Sequence, residues 1–171
     1  MSVQLGAAVK RFTIPSKRGA FPLAISSFPC PGSTTTALIA PATGVPRYFY
    51  DAFCGYLNRA GISALSFDYR LCGGRGGSWE AGVNSSVKDE RIQALREAPE
   101  VSISREWRED YETVLDYCQR TSGGQELVVV GHSLGGPSAL AATSRRNLTS
   151  PSQGIYCRLS IILIWCRGRC G

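Results

Sequence analysis

Apolar positions along this chain fall into short β-branched or apolar runs separated by stretches in which they recur every three or four residues. Phe12-Thr13-Ile14-Pro15 and Phe21-Pro22-Leu23-Ala24-Ile25 flank a Ser16–Gly19 turn and predict two strands. Pro29–Ser33 is turn-like, and Thr34–Ala40 predicts a buried strand that Pro41-Ala42-Thr43-Gly44-Val45-Pro46 breaks. Across Arg47–Ala60, the residues Tyr50, Phe53, Cys54 and Leu57 share one face of a 3.6-residue period, so this segment predicts an amphipathic helix that Gly61 caps. Ile62–Tyr69 predicts another strand. Strand, helix and strand joined by short connections form a βαβ unit, which implies parallel pairing and a right-handed crossover.

Leu71–Asn84 is glycine-rich and irregular. It lacks the lysine and spacing of a phosphate-binding loop, and predicts a loop on the active-site side. Val87–Ala98 is charged and weakly helical. Ser104–Arg120 is a stronger helix, with Ser104 as cap and Trp107, Tyr111, Val114, Leu115 and Cys118 as its apolar stripe. Leu127–Val130 predicts a strand and Leu134–Arg146 a small-residue helix. Between them lies Gly131-His132-Ser133-Leu134-Gly135-Gly136. Pro151–Gly154 is turn-like, and Leu159–Trp165 is one more short apolar run.

Composition narrows the picture. A chain of 171 residues with 43% hydrophobic and 19% charged residues is globular in character and long enough for one domain with a core. No apolar run is long enough to span a bilayer. The net charge of +6 is unevenly placed. Residues 1–144 hold fourteen basic and all thirteen acidic side chains, whereas residues 145–171 hold five arginines and no acid. The basic character therefore belongs to the tail, and no basic face or zinc-finger spacing points to nucleic acid. Seven cysteines, an odd number without metal or disulfide spacing, suggest a reduced, cytoplasmic setting; Cys54 and Cys118 fall at apolar helix positions. The sequons Asn84-Ser85-Ser86 and Asn147-Leu148-Thr149 are attributed to chance.

The segment Glu126–Leu140 carries the chemistry. An apolar strand, G-x-S-x-G and a small-residue helix form a nucleophile elbow, a sharp turn that lifts a serine hydroxyl above the end of a sheet. Glycines at 131 and 135 leave room for that turn. Ser133 is the candidate nucleophile, and the N–H of Leu134 is the first candidate oxyanion donor.

The elbow, the opening strand pair, Leu38–Pro46, Tyr56–Gly61 and Ser66-Phe67-Asp68-Tyr69-Arg70 together resemble the α/β-hydrolase superfamily, over roughly residues 11–146. Within it, Pro41–Pro46 is similar to the oxyanion segment of predicted hydrolases of the serine aminopeptidase-like (S33-type) group, where relatives more often carry His-Gly. The resemblance implies a mostly parallel sheet with flanking helices behind an antiparallel hairpin. It also implies a second oxyanion N–H from Thr43, with Gly44 next in line. No metal or cofactor is implied.

The family pattern asks for an acid and then a histidine after the serine, but no Asp, Glu or His follows Ser133. His132 is the sole histidine and is a structural residue on this reading, because neighbours at such a turn point in different directions. The expectation is therefore a truncated member. Residues 1–146 are the N-terminal part of a hydrolase domain, and residues 147–171 an atypical basic, cysteine-rich tail. The full-length parent would act on a small-molecule ester, amide or thioester, leaving this chain nearly inactive. The alternative is a non-catalytic pseudoenzyme or binding module on a partial hydrolase fold. Without later strands the elbow strand would have an exposed, aggregation-prone edge, which Leu159–Trp165 could cover in part.

Overall fold

The computed structural model describes residues 8–17, 21–70, 102–144 and 160–164. The expected Leu71–Asn84 loop, the Val87–Ala98 segment, the Pro151–Gly154 turn and both sequons lie outside the described residues.

Six strands form one sheet: β1 (Lys10–Pro15), β2 (Pro22–Phe28), β3 (Thr35–Ala40), β4 (Ser63–Phe67), β5 (Glu126–His132) and β6 (Ser160–Ile164). Their spatial order is β1-β2-β4-β3-β5-β6. The hairpin β1–β2 is antiparallel, and its turn is closed by the Ser16 N–H donating to the Phe21 carbonyl at 3.0 Å. β2 pairs antiparallel with β4, and from there β4, β3, β5 and β6 run parallel. This is the expected mostly parallel sheet behind an antiparallel hairpin. The Leu159–Trp165 run does add a strand, which pairs along β5 from Val128 to His132.

The expected βαβ unit runs β3, then α1 (Asp51–Arg59), then β4. Its helix differs from the sequence pattern in one way: Arg47–Tyr50 is a separate 3-10 turn that leads into α1. Tyr50 and Cys54 are buried as the period requires, whereas Phe53 is 37% exposed and Asn58 takes a core position. Asn58 reaches that position because its amide donates to the carbonyls of Phe28 and Pro29, both at 3.0 Å. On this face Tyr50 and Cys54 pack with Phe28, Ala37, Ile39, Ala64 and Val130.

The opposite face is covered by α2 (Arg108–Thr121) and α3 (Gly135–Ser144). Trp107, Tyr111, Val114, Leu115 and Cys118 form the expected stripe and bury against Leu38, Leu65, Phe67, Leu127 and Val129. The start of this helix corrects one expectation. Ser102, not Ser104, is the cap, and the first turn, Ile103–Trp107, is π-helical. The Ser102 hydroxyl accepts the Arg105 N–H at 3.2 Å, and Glu106 accepts the Ser102 N–H at 2.7 Å. This reciprocal arrangement satisfies donors at both ends of the turn.

Coverage on both faces explains why β3 and β4 are almost continuously buried instead of alternating. It also sets where a site can form. From the central strand β3 the chain crosses by α1 to β4 on one side, while β5 lies on the other side and continues into α3. A crevice at the carboxyl ends of β3 and β5 follows from that divergence, and this is where open α/β sheets bind ligands.

Candidate active site

Two loops leave the sheet side by side. Ala40, at the end of β3, is registered against Gly131 in β5. The segments Pro41–Pro46 and Ser133–Leu134 therefore emerge from neighbouring strand ends, which brings Thr43 to the same rim as Ser133 and Leu134.

At the end of β5 the chain turns abruptly. Ser133 has φ 52, the one positive value outside glycine among the described residues. Holding a side chain there costs about 1–3 kcal/mol. Ser133 is exposed. Its carbonyl accepts the Gly136 N–H at 3.1 Å, and the Leu134 carbonyl accepts the Ser138 N–H at 3.2 Å, so α3 starts directly from the turn. Leu134 precedes the first helical residue, where N–H groups have no acceptor within the helix.

Packing shows why this turn takes glycine on both sides of the serine. A Cβ on Gly131 would sit 2.5 Å from Gly136 Cα and 2.7 Å from its nitrogen. One on Gly135 would sit 2.0 Å from the Ala40 carbonyl oxygen and 2.8 Å from that of Pro41. The second contact matters more for the site, because it presses the start of α3 against the base of the neighbouring loop.

That loop has its own support. Val45 N–H donates to the Ala42 carbonyl at 3.2 Å, and Gly44 takes φ 66, so Thr43 and Gly44 form the exposed to half-buried tip of a tight turn. Beyond the loop, Arg47 is fixed to the end of β4. Its N–H donates to Asp68 Oδ1 at 2.6 Å, its guanidinium pairs with the same carboxylate, and its carbonyl accepts the Ser66 hydroxyl at 3.2 Å. Burial pushes the Asp68 carboxyl up to about 6, against the pull of Arg47 toward the ionised form.

Tyr50 joins the two loops. Its hydroxyl accepts the Ala42 N–H at 3.0 Å and lies 2.9 Å from His132 Nδ1. The two rings meet edge to face, with centroids 6.0 Å apart. His132 therefore faces Tyr50 through Nδ1. A further buried pair holds the exit of β4 to α2: the Arg70 side chain donates to Asp110 at 2.5–3.0 Å, and its N–H donates to the same carboxylate at 2.8 Å.

Sequence reasoning singled out Ser133, Leu134 and Thr43 as candidates, took Tyr50 only for a core aromatic, and missed the Arg47–Asp68 and Arg70–Asp110 pairs. A signal for the pairs existed: Asp68 and Arg70 are charges at the very end of an apolar strand. Their partners could not be read, because Arg47 and Asp110 come from separate elements. Among the described residues no cluster of His, Cys, Asp or Glu is placed to hold a metal. A cavity of about 400 Å³ lies at the opposite end of the sheet, lined by Lys10, Cys30, Tyr117 and Gln125 among others. The Gln125 side chain is already committed to Thr36 and to the Ser33 carbonyl. The strained, exposed serine at the carboxyl ends of the strands is the better candidate.

The architecture and the turn define an α/β protein with a serine elbow at its topological switch point. The model of the alpha/beta hydrolase family matches residues 30–164, and the chain belongs to that family. Solved structures agree on the fold. A thermostable carboxyl esterase from Bacillus coagulans superposes with TM-score 0.59 at 14% identity, over 94% of this chain and 44% of its own. A soluble variant of the Saccharomyces cerevisiae monoglyceride lipase gives TM-score 0.55 at 17% identity, over 87% and 42%. A serine hydrolase without a lid from Xanthomonas campestris gives TM-score 0.51 at 15% identity, over 93% and 84%. The chain thus spans less than half the length of the esterase and the lipase. A search of curated proteins gave no match. Among the described residues no helix is long and apolar enough to cross a membrane.

Proposed function

We propose that this chain carries the nucleophile and oxyanion half of a serine hydrolase site that transfers an acyl group from a small-molecule ester, amide or thioester. The observation that carries the reading is Ser133: exposed, held at φ 52, and wedged between two glycines where no Cβ fits. Ser133 Oγ attacks the substrate carbonyl carbon and gives its proton to a base. The N–H groups of Leu134 and Thr43 receive the resulting oxyanion, and the leaving group departs as the carbonyl re-forms. Water then releases the acyl group. The esterase and lipase among the structural neighbours favour an oxygen ester within that class. Pro41–Pro46 favours the serine aminopeptidase-like subgroup, and the buried thiols Cys54 and Cys118, which form no disulfide, fit a reducing, cytoplasmic setting.

We read His132 as structural and not as the base, since its Nδ1 faces Tyr50 and its backbone adjoins the serine. On this reading the acid and the base are supplied by a longer parent chain. By itself the chain is nearly inactive. The same observation favours the second reading, a non-catalytic binding module on a partial hydrolase fold.

A fluorophosphonate probe separates the two. In a C-terminally extended chain that supplies an acid and a histidine, the probe labels Ser133, and Ser133→Ala abolishes labelling. The 171-residue chain labels at least about a hundredfold more slowly, since loss of a general base removes about that factor or more. An extended chain that takes no probe, or takes it equally well with Ser133→Ala, overturns the hydrolase reading.

A further inference from the structure

We infer that Tyr50 is a positioning residue: its phenol ties the loop that carries Thr43 to the turn that carries Ser133. The inference rests on the assignment of those two residues proposed above. One oxygen is hydrogen-bonded to Ala42, the neighbour of Thr43, and to His132, the neighbour of Ser133. The relative placement of the two oxyanion donors is thereby referred to a single atom. Displacements of about 1 Å in such geometry cost up to about a hundredfold in rate.

The 3-10 turn explains how Tyr50 can hold that place. Residues three apart eclipse one another in a 3-10 helix, so Arg47 and Tyr50 lie on the same side of the turn. Both are buried, at 5% and 6% exposure. Arg47 is fixed by Asp68 and Ser66, so Tyr50 rises from a base anchored to β4. The 3-10 turn thereby links the Arg47 anchor on β4 to the Tyr50 phenol and, through it, to both loops. The ordinary α-helical spacing expected over Arg47–Ala60 would not superpose these two side chains.

The proton arrangement follows from what each group can donate. The Ala42 N–H already donates to the phenol oxygen. The phenol proton can go to an unprotonated His132 Nδ1, or a protonated Nδ1 can donate to the phenol oxygen; either bond ties the two loops. In the first arrangement His132 carries its ring proton on Nε2.

The chain has one histidine, so its imidazole ¹⁵N spectrum reports on this site alone. In alkaline solution the wild type should show an Nδ1 resonance shifted by a hydrogen bond, whether as acceptor from the phenol or as donor to it. Tyr50→Phe should shift the Nδ1 resonance and speed exchange of the Ala42 amide by about tenfold or more, while the Leu65 amide in β4 keeps its protection. On the extended chain the same substitution should slow phosphonylation of Ser133 by about tenfold. A wild-type Nδ1 resonance without the shift of a hydrogen-bonded ring nitrogen overturns the inference, and that measurement stands even if the variant does not fold. Unchanged Ala42 exchange, or labelling within about twofold of wild type, overturns it as well. If Ser133 takes no probe in any chain, the hydrolase reading falls, while the spectrum and the exchange rates still decide whether Tyr50 ties the two loops.

Discussion

Asp68 shows how a single buried group sets a pH response. Its carboxyl is fully buried, and burial outweighs Arg47, lifting it from 3.8 to about 6. Between those values the folded protein holds a proton that the unfolded chain has released. The stability gained from that proton is complete below pH 4 and is lost as pH rises through 6, opposite to an ordinary paired carboxylate. Glu106 behaves in the reverse sense: burial pushes it up, but hydrogen bonds from Arg105 and Ser102 hold it at about 2. Its contribution is present above the usual glutamate range and disappears as pH falls toward 2. Urea unfolding of the wild type and Asp68→Asn between pH 4 and 7 isolates the first effect. The wild type should lose stability relative to the variant as pH rises; parallel curves would refute the assignment. Cys54 is also governed by burial, which together with Asp51 pushes its thiol up to about 12 and keeps it in the unreactive protonated form.

At the scale of elements, the site is made by three backbones meeting more closely than side chains permit. β5 ends, α3 begins, and the exit of β3 runs alongside, with Gly135 against the Ala40 and Pro41 carbonyls and Gly131 against Gly136. Nothing flexible can yield, since every close atom is backbone. Gly135→Ala should therefore destabilise the fold by about 3 kcal/mol or more, near the top of the range for overpacking. Gly124→Ala is a useful control. Gly124, unlike Gly135, has positive φ, 87, but nothing lies within 4 Å of an added Cβ, so only backbone strain of about 1–2 kcal/mol applies. Equal losses for the two variants, measured by denaturant midpoint, would show that the crossing at the elbow is not tight. The same contacts give the strain at Ser133 its cause, since a turn this compact leaves the residue between strand and helix no ordinary conformation.

For the molecule as a whole, the question is how the sheet ends. β1 is one edge, short, with an exposed lysine and arginine at its start. Such charges discourage further pairing. On the other side β6 pairs with β5 and gives the elbow strand a neighbour on both sides. A chain cut after residue 146 would leave β5 as an open edge with Val128, Val129 and Val130 at its centre. That chain should form oligomers or precipitate at concentrations where the 171-residue chain remains smaller in size-exclusion chromatography. A monodisperse shortened chain would mean that β6 contributes nothing to protecting the sheet.

The local sequence carried much of this. Alternation, period and turn residues located every strand described here to within a few positions, and glycine spacing around Ser133 located the elbow, because each depends on residues near in the chain. Boundaries were less legible. Ser104 is as good a cap as Ser102 by type, and only the Glu106 contact decides between them. Phe53 fits the helical period, but the turn before α1 shifts which face meets the sheet. What the tertiary structure alone decided is the company each group keeps: Tyr50 with Ala42 and His132, Arg47 with Asp68, Arg70 with Asp110. These partners are separated by 8 to 82 positions along the chain. Strand order brings most of them together, and no local pattern encodes it. A sequence states which hydroxyl stands at a strained turn; only the assembled sheet states what holds the opposite loop in place beside it.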